Sequence, residues 1–303
     1  MTPAITGLWP PVSTPFADDG AVDARRLVHH SRTLLADGAH GLAILGTTSE
    51  ANSLTLDERR KAIDAHLEAG IPAAKLLPGT GAAAIGDAAA LPRHAGEIGV
   101  AAGLLPPPLF YKKRSDEGVY AFIASVIERS GPKVPRIMLY HIPQMAGDGF
   151  SLELIGRLRE AFPDLVVGLK DSAGAYDYTK SVIDAFPGFA VFPGAEVYLV
   201  KALRNGAAGC ISASANINAR GIRGILDHWR DADADARQEA ANAIRKAVEG
   251  RTMIAAVKTV LAERYRDGGW RTMRPPLMAL DAEARAALLA NPAIAGLLES
   301  VAA

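Results

Sequence analysis

Lys170 closes the apolar run Leu165-Val166-Val167-Gly168-Leu169, so the chain carries an ammonium to the end of a segment otherwise suited to burial. Burial penalises the charged form of an amine, and the neutral form is a nucleophile that can attack a ketone. On position alone, a lysine there could equally reach solvent or pair with the adjacent Asp171. Tyr140 closes the preceding apolar run, Arg136-Ile137-Met138-Leu139-Tyr140. Neighbouring strand ends of a parallel barrel face one mouth, which would put this phenol near the same amine. Imine formation needs protons delivered to and taken from the carbinolamine oxygen, and a positioned phenol can do both. The ordinary alternative is a rim tyrosine buried for its area, with its hydroxyl in water. Gly46-Thr47-Thr48-Ser49-Glu50 follows another apolar run and precedes a helix expected from about Leu56. Its backbone and hydroxyl donors suit an anion such as a carboxylate, although Thr/Ser-rich loops also cap helices routinely. Gly79-Thr80-Gly81 resembles a fragment of a dinucleotide fingerprint but lacks the final glycine and the ribose-binding acid. The seven histidines form no paired ligand spacing and no GxxxxGK phosphate loop occurs, so neither a metal nor another cofactor is expected.

These side chains need a scaffold that gathers strand ends. Eight short apolar runs recur, at 7–12, 41–45, 74–77, 100–105, 136–140, 165–169, 190–192 and 208–211, several of them followed by amphipathic stretches such as 24–35, 57–69, 118–128 and 152–161. The runs do not alternate with polar residues, as fits parallel strands covered by helices on both faces. An open doubly wound sheet shares this local pattern, but eight units favour a closed α/β structure, the (β/α)8 TIM barrel. The barrel is assigned to residues 1–222. From 223 to 303 the texture is helical without strands, with stretches through 247, at 252–264 and at 282–301. Pro275-Pro276 separates two of these helices and Asn291-Pro292 breaks the last. The tail is read as a C-terminal helical extension packed on the barrel or on a sister subunit.

The bulk properties narrow the partners. The 303 residues are 49% hydrophobic with 33 basic and 33 acidic side chains, which describes a globular chain and not a disordered one. Balanced charge, with Lys112-Lys113-Arg114 the longest basic run, gives no footprint for a phosphate backbone, so no nucleic-acid partner is expected. A lone Cys210 excludes an intrachain disulfide and points to a reducing cytoplasm. The opening Met1-Thr2-Pro3-Ala4-Ile5 lacks the charge pattern of a signal peptide, and no apolar run spans a membrane, so no membrane association is expected.

The residues singled out above, with further segments in the same order, resemble the dihydrodipicolinate synthase / N-acetylneuraminate lyase family over nearly the whole chain. The matching segments are Pro11-Val12-Ser13-Thr14-Pro15-Phe16, Gly46 to Glu50, Tyr140-His141-Ile142-Pro143, Gly168-Leu169-Lys170-Asp171-Ser172, Pro193-Gly194 and Gly209-Cys210-Ile211-Ser212. The resemblance implies a barrel with a C-terminal helical extension, a homotetramer and a metal-free Schiff-base mechanism on pyruvate or another 2-oxo acid with an aldehyde partner. Carried over by position, Lys170 would form the imine and Tyr140 would shuttle protons. Thr47 would link Tyr140 to Tyr111, which in the family enters from a neighbouring subunit. Thr48 and the Gly46 loop would hold the carboxylate, while Gly194 and the carbonyl of Ile211 would line the pyruvate pocket.

The departures concern the second substrate. Dihydrodipicolinate synthases place an arginine where this chain has Met145, and a methionine cannot form a bidentate carboxylate clamp. Sialate lyases place a serine where this chain has Ala213 and a polar pair where it has Ala195-Glu196, leaving Glu196 to contact a hydroxyl. Ser49 stands where the family has glycine, and His141 where it often has asparagine. The expected activity is a lyase, by default retro-aldol cleavage releasing pyruvate, with dehydration open from the same intermediate. The alternatives are 4-hydroxy-tetrahydrodipicolinate synthesis from pyruvate and aspartate semialdehyde, a non-catalytic oxo-acid sensor, and the dehydrogenase hinted at by Gly79-Thr80-Gly81.

Overall fold

The structure, a computed structural model, describes residues 5–249 and 253–302. Residues 1–4 of the N-terminal stretch and Thr252, expected to begin a tail helix, lie outside the described residues.

Six strands form among the described residues: β1 (Gly7–Leu8), β2 (Gly103–Leu105), β3 (Ile137–His141), β4 (Val166–Asp171), β5 (Ala190–Pro193) and β6 (Gly209–Cys210). All strand pairs are parallel, in the orders β2-β3-β4-β5 and β1-β6. The runs expected as strands at 41–45 and 74–77 carry only the single parallel bridge Leu42↔Leu76, and the 7–12 run is cut to two residues. Proline explains this locally. Pro10, Pro11 and Pro78 have no N–H to donate, so the ladder is interrupted wherever they fall.

Hydrogen bonds nevertheless complete the circuit. Ala43 N–H donates to Pro10 O (2.9 Å), Leu77 N–H to Leu42 O (2.9 Å), Leu104 N–H to Pro78 O (2.8 Å), and Gly103 N–H to Arg136 O (2.7 Å). On the other side, Ala208 N–H donates to Val191 O (2.8 Å) and Gly7 N–H to Ala208 O (2.8 Å). Eight segments thus close into a barrel, as expected.

Side-chain direction follows the closed circuit. Met138 and Tyr140, two apart on β3, pack in an interior cluster with Trp9, Leu77, Phe192 and Ile211, while Ile137 and Leu139 pack outward against the helices. On β4 the register shifts, with Ile137 opposite Val166 and Met138 opposite Gly168, so Val167 has no partner. Beyond this bulge Leu169 packs outward with the helix layer, and Lys170 pairs with the inward-facing Tyr140. The dinucleotide-like Gly79 has a packing reason: a Cβ there would lie 2.0 Å from the Leu45 carbonyl oxygen. Thr80 beside it is fully buried and its hydroxyl donates to Leu104 O (3.3 Å).

The covering helices start where the sequence supplies caps. Asp23 caps Ala24–Ala36, a Thr55–Glu58 capping box opens Leu56–Glu68, and Ser115 and Ser151 cap Asp116–Ser130 and Leu152–Ala161. The last barrel helix, Ala215–His228, runs across residue 222, and the tail helices are Ala234–Val248, Met253–Arg264, Ala282–Leu289 and Pro292–Ala302. Ile217, Val257, Val260 and Leu261 form one cluster with Trp270, Leu288 and Ile294, so the tail shares a core with the last barrel helix. Among the described residues no helix is long and apolar enough to cross a membrane.

Candidate active site at the strand ends

Register pairing across β3 and β4 sets Tyr140 beside Lys170, and across β4 and β5 sets Lys170 beside Phe192. Lys170 is 4% exposed, its Nζ 4.3 Å from the centroid of the Tyr140 ring. The expected alternatives of a solvent-reaching lysine or an Asp171 pair are therefore not what the chain builds. Asp171 is turned elsewhere, accepting from Ala173 N–H (2.9 Å) and the Thr179 hydroxyl (2.5 Å), and burial raises its carboxyl above the ordinary range. Tyr140 is buried and its hydroxyl lies 3.3 Å from Thr47 Oγ1. Burial pushes this phenol up, but the charge on Lys170 and hydrogen bonds to Thr47, Ser172 and Lys170 together outweigh it and bring it below its usual value. A phenol so placed gives up a proton more readily than one in water.

The Gly46–Glu50 loop is a tight turn. Ser49, Glu50 and Ala51 N–H donate back to Gly46 O, Thr47 O and Gly46 O (3.1, 3.0 and 3.2 Å), so those amides are not offered to a ligand. The amides of Thr47 and Thr48 have no acceptor among the described residues, and both residues line the cavity. The Ser49 hydroxyl, standing where a glycine was expected, accepts from Gly46 N–H (3.2 Å) and donates to Val12 O (2.5 Å), which ties the loop to the strand wall. Glu50 ends the turn in the left-handed region (φ 55°). Its buried carboxylate meets the fully buried ammonium of Lys258, which also donates to Thr272 O (2.9 Å). The tail thereby holds the loop that carries Thr47 and Thr48.

Lys170 opens into a cavity of about 500 Å³, lined also by Thr47, Thr48, Tyr140, Gly194 and Arg245. A smaller recess of about 80 Å³, lined by Gly46, adjoins it at Thr47, Tyr140 and Met145, and Met145 is exposed. Gly194 must be glycine: a Cβ would lie 2.2 Å from Ser172 Oγ and 2.7 Å from Asp171 O. Ile211 is fully buried in the interior cluster beneath the site, its N–H donating to Pro193 O (3.1 Å).

One sequence expectation changes. Glu196 is fully buried and its carboxylate accepts from the hydroxyls of Ser212 and Ser214, with the Arg245 guanidinium 4.0 Å away. It is consumed by these partners and does not line the cavity, so it is not a substrate contact. Tyr111, expected to act from a neighbouring subunit, is 76% exposed in the single chain and packs edge-to-face on Phe110 (5.4 Å). His141 also points away, stacked on Tyr178 (3.8 Å) and accepting from Phe150 N–H (3.0 Å), with burial lowering it to about 4.

Three contributors escaped the sequence reading. Ser172 was visible only as part of a matching segment. Arg245 sits in an alanine-rich helix whose charges look like an ordinary solvated face. Lys258 did carry a signal, because Val257, Thr259, Val260 and Leu261 around it leave its helix no polar side to turn outward. Among the described residues no group of three or more His, Cys, Asp or Glu is placed to hold a metal ion.

This arrangement agrees with what the chain is similar to. Residues 4–292 match the sequence model of the Dihydrodipicolinate synthetase family. A DapA-like lyase of Chloroflexus aurantiacus, itself described as uncharacterized, is 33% identical over 286 residues, covering 94% of this chain and 95% of that protein. The crystal structure of dihydrodipicolinate synthase from Agrobacterium tumefaciens superposes with a TM-score of 0.87 at 29% identity, covering 98% of this chain and 99% of that one. The Ruminococcus gnavus sialic acid aldolase shares the fold, with a TM-score of 0.85 at 18% identity over 98% of each chain. With its closed barrel, helical tail and buried strand-end lysine, the chain belongs to the dihydrodipicolinate synthetase family and is a lyase of that family.

Proposed function

We propose that the protein is a Schiff-base lyase that cleaves a 2-oxo acid through Lys170 and releases pyruvate. The observation that carries this reading is a buried amine with a phenol beside it and no carboxylate paired to it among the described residues. In its neutral form the Lys170 nitrogen attacks C2 of the substrate. Tyr140 delivers the proton with which the carbinolamine oxygen leaves as water. The resulting iminium draws electrons from the C3–C4 bond while the C4 hydroxyl returns a proton to the Tyr140 phenolate, so cleavage yields an enamine and an aldehyde. Protonation at C3 and addition of water at C2 then free pyruvate and the amine. The Thr47 and Thr48 amides receive the substrate carboxylate, and Thr47 relays protons from Tyr140. Loss of a C3 proton from the uncleaved iminium, followed by departure of a protonated C4 hydroxyl as water, would give dehydration instead.

A homotetramer is part of the proposal, with the partner's Tyr111 completing the relay; exposure of Tyr111 and Phe110 supports it. Synthesis of 4-hydroxy-tetrahydrodipicolinate is the competing reaction, and an exposed Met145 in place of a guanidinium weighs against it. A non-catalytic sensor would have no use for a lysine, phenol and threonine aligned for proton transfer.

Borohydride reduction in the presence of pyruvate, followed by mass spectrometry, tests the reading. The native protein should gain one pyruvyl adduct per chain and Lys170→Ala none. Native protein without an adduct would rule out the covalent mechanism.

A further inference from the structure

We infer that the cavity takes a 2-oxo acid carrying a second carboxylate at its far end, and that Arg245 binds this carboxylate in the place now covered by Glu249. The inference rests on Lys170 forming the imine and names the class of molecule attached there.

Arg245 projects from the helix Ala234–Val248 onto the wall of the Lys170 cavity and is the only arginine among the described lining residues. One edge of its guanidinium is fixed, with Nη1 donating to the Ser212 hydroxyl (3.2 Å) and standing 4.0 Å from the buried Glu196 carboxylate. The other edge, Nε and Nη2, is the face that takes a carboxylate side-on. It donates to a single oxygen, Glu249 Oε1, at 3.4 and 3.2 Å. Charge-assisted bonds of this type usually measure about 2.7–2.9 Å, so the contact is loose.

Glu249 is poorly held in other respects too. Its side chain is 54% exposed, and it is the C-cap of its helix, where the negative end of the dipole disfavours a carboxylate. An exposed ion pair of this kind contributes little, so releasing Glu249 to water costs little. What remains is a guanidinium, anchored on its inner edge and open on its outer one, in the cavity that holds the reacting amine. Glu196 already offsets part of its charge, which suits a singly charged carboxylate. The cavity volume of about 500 Å³ leaves room for a molecule longer than pyruvate.

The test traps the imine directly and needs no knowledge of the aldehyde. Native protein is titrated with 2-oxoglutarate, 2-oxoadipate and 2-oxopimelate, and with the monocarboxylic 2-oxo acids of the same lengths, each trapped with borohydride and read by mass. The expected result is that the best diacid half-saturates trapping at a concentration about tenfold or more below its monoacid counterpart. Arg245→Gln should erase this ratio. Glu249→Gln, on an exposed side chain and so safe for folding, should lower the half-saturating diacid concentration by about threefold because the stand-in is gone. Equal half-saturation of diacids and monoacids by native protein overturns the inference. So does a ratio that survives in Arg245→Gln, or weaker diacid trapping in Glu249→Gln, which would make the Arg245–Glu249 pair a reader of uncharged groups. If native protein traps no pyruvate at all, the failure belongs to the Lys170 reading and not to the far subsite.

Discussion

Two lysines are buried among the described residues, and they are treated in opposite ways. Lys258 is fully enclosed by the tail, with the Glu50 carboxylate against its ammonium, the Thr272 carbonyl 2.9 Å away and the Phe16 ring 4.4 Å beneath it. Lys170 is almost as enclosed, but it meets a phenol and a ring face and no carboxylate among the described residues. Burial lowers Lys258, and Glu50 works against that lowering, so the pair buries its charges together. A paired ammonium is a structural tie; its lone pair is not available for chemistry. The nearest carboxylate in sequence to Lys170 is occupied by Thr179 and Ala173, which leaves that amine beside a phenol in place of a counterion. On the proposed mechanism, the reactivity of Lys170 would come from withholding the ion pair that Lys258 is given.

The contrast can be broken most directly at Lys170 itself. Lys170→Met should abolish the borohydride-trapped adduct completely while leaving the thermal midpoint unchanged or higher, since an unpaired amine is replaced by apolar volume. A fall in midpoint as large as that of Lys258→Met would remove the distinction. Next in size, Tyr140→Phe should slow turnover by about 10²–10⁴-fold, the usual worth of one acid–base group, with the folded protein intact by circular dichroism. Retained turnover would return Tyr140 to the role of a tyrosine buried for its area.

Lys258→Met tests the other half. Leaving Glu50 buried without its partner should cost about 3–5 kcal/mol of stability by denaturant unfolding, and Lys258→Met/Glu50→Gln should recover most of it. If the single variant unfolds like the native chain, the pair is not the tie described. The smallest effect concerns pH. Burial holds His30 at about 4 in the fold, against about 6.5 when unfolded. The unfolded chain therefore binds more protons between these values. Stability from this group is fully present above about 6.5 and is lost as pH falls from there towards about 4. Thermal unfolding across that window should show the decline, reduced in His30→Gln.

Much of the site could be read along the chain. Lys170 and Tyr140 stand at the ends of apolar runs, and the Gly46–Glu50 turn falls between a buried segment and a capped helix; all are local patterns. Strand positions were legible too, though their lengths were not, because an interruption at Pro10 or Pro78 depends on which neighbour needs the missing N–H. Glu196 shows the opposite limit. A carboxylate beside the Gly194 turn looks available in sequence, and only packing places Ser212, Ser214 and Arg245 around it.

The sequence by itself determined that a lysine and a tyrosine end adjacent buried strands of a closed parallel barrel, because burial and strand period are written in residue type. The tertiary structure decided which way the lysine points. Val167 lacks a partner in the β3–β4 register, and that one skipped residue sends Leu169 to the helices and Lys170 to the interior. Strand side chains alternate with period two, so a single unpaired residue reverses every direction beyond it. No reading of residue types along β4 contains that choice, since it is set by the pairing of its backbone with β3.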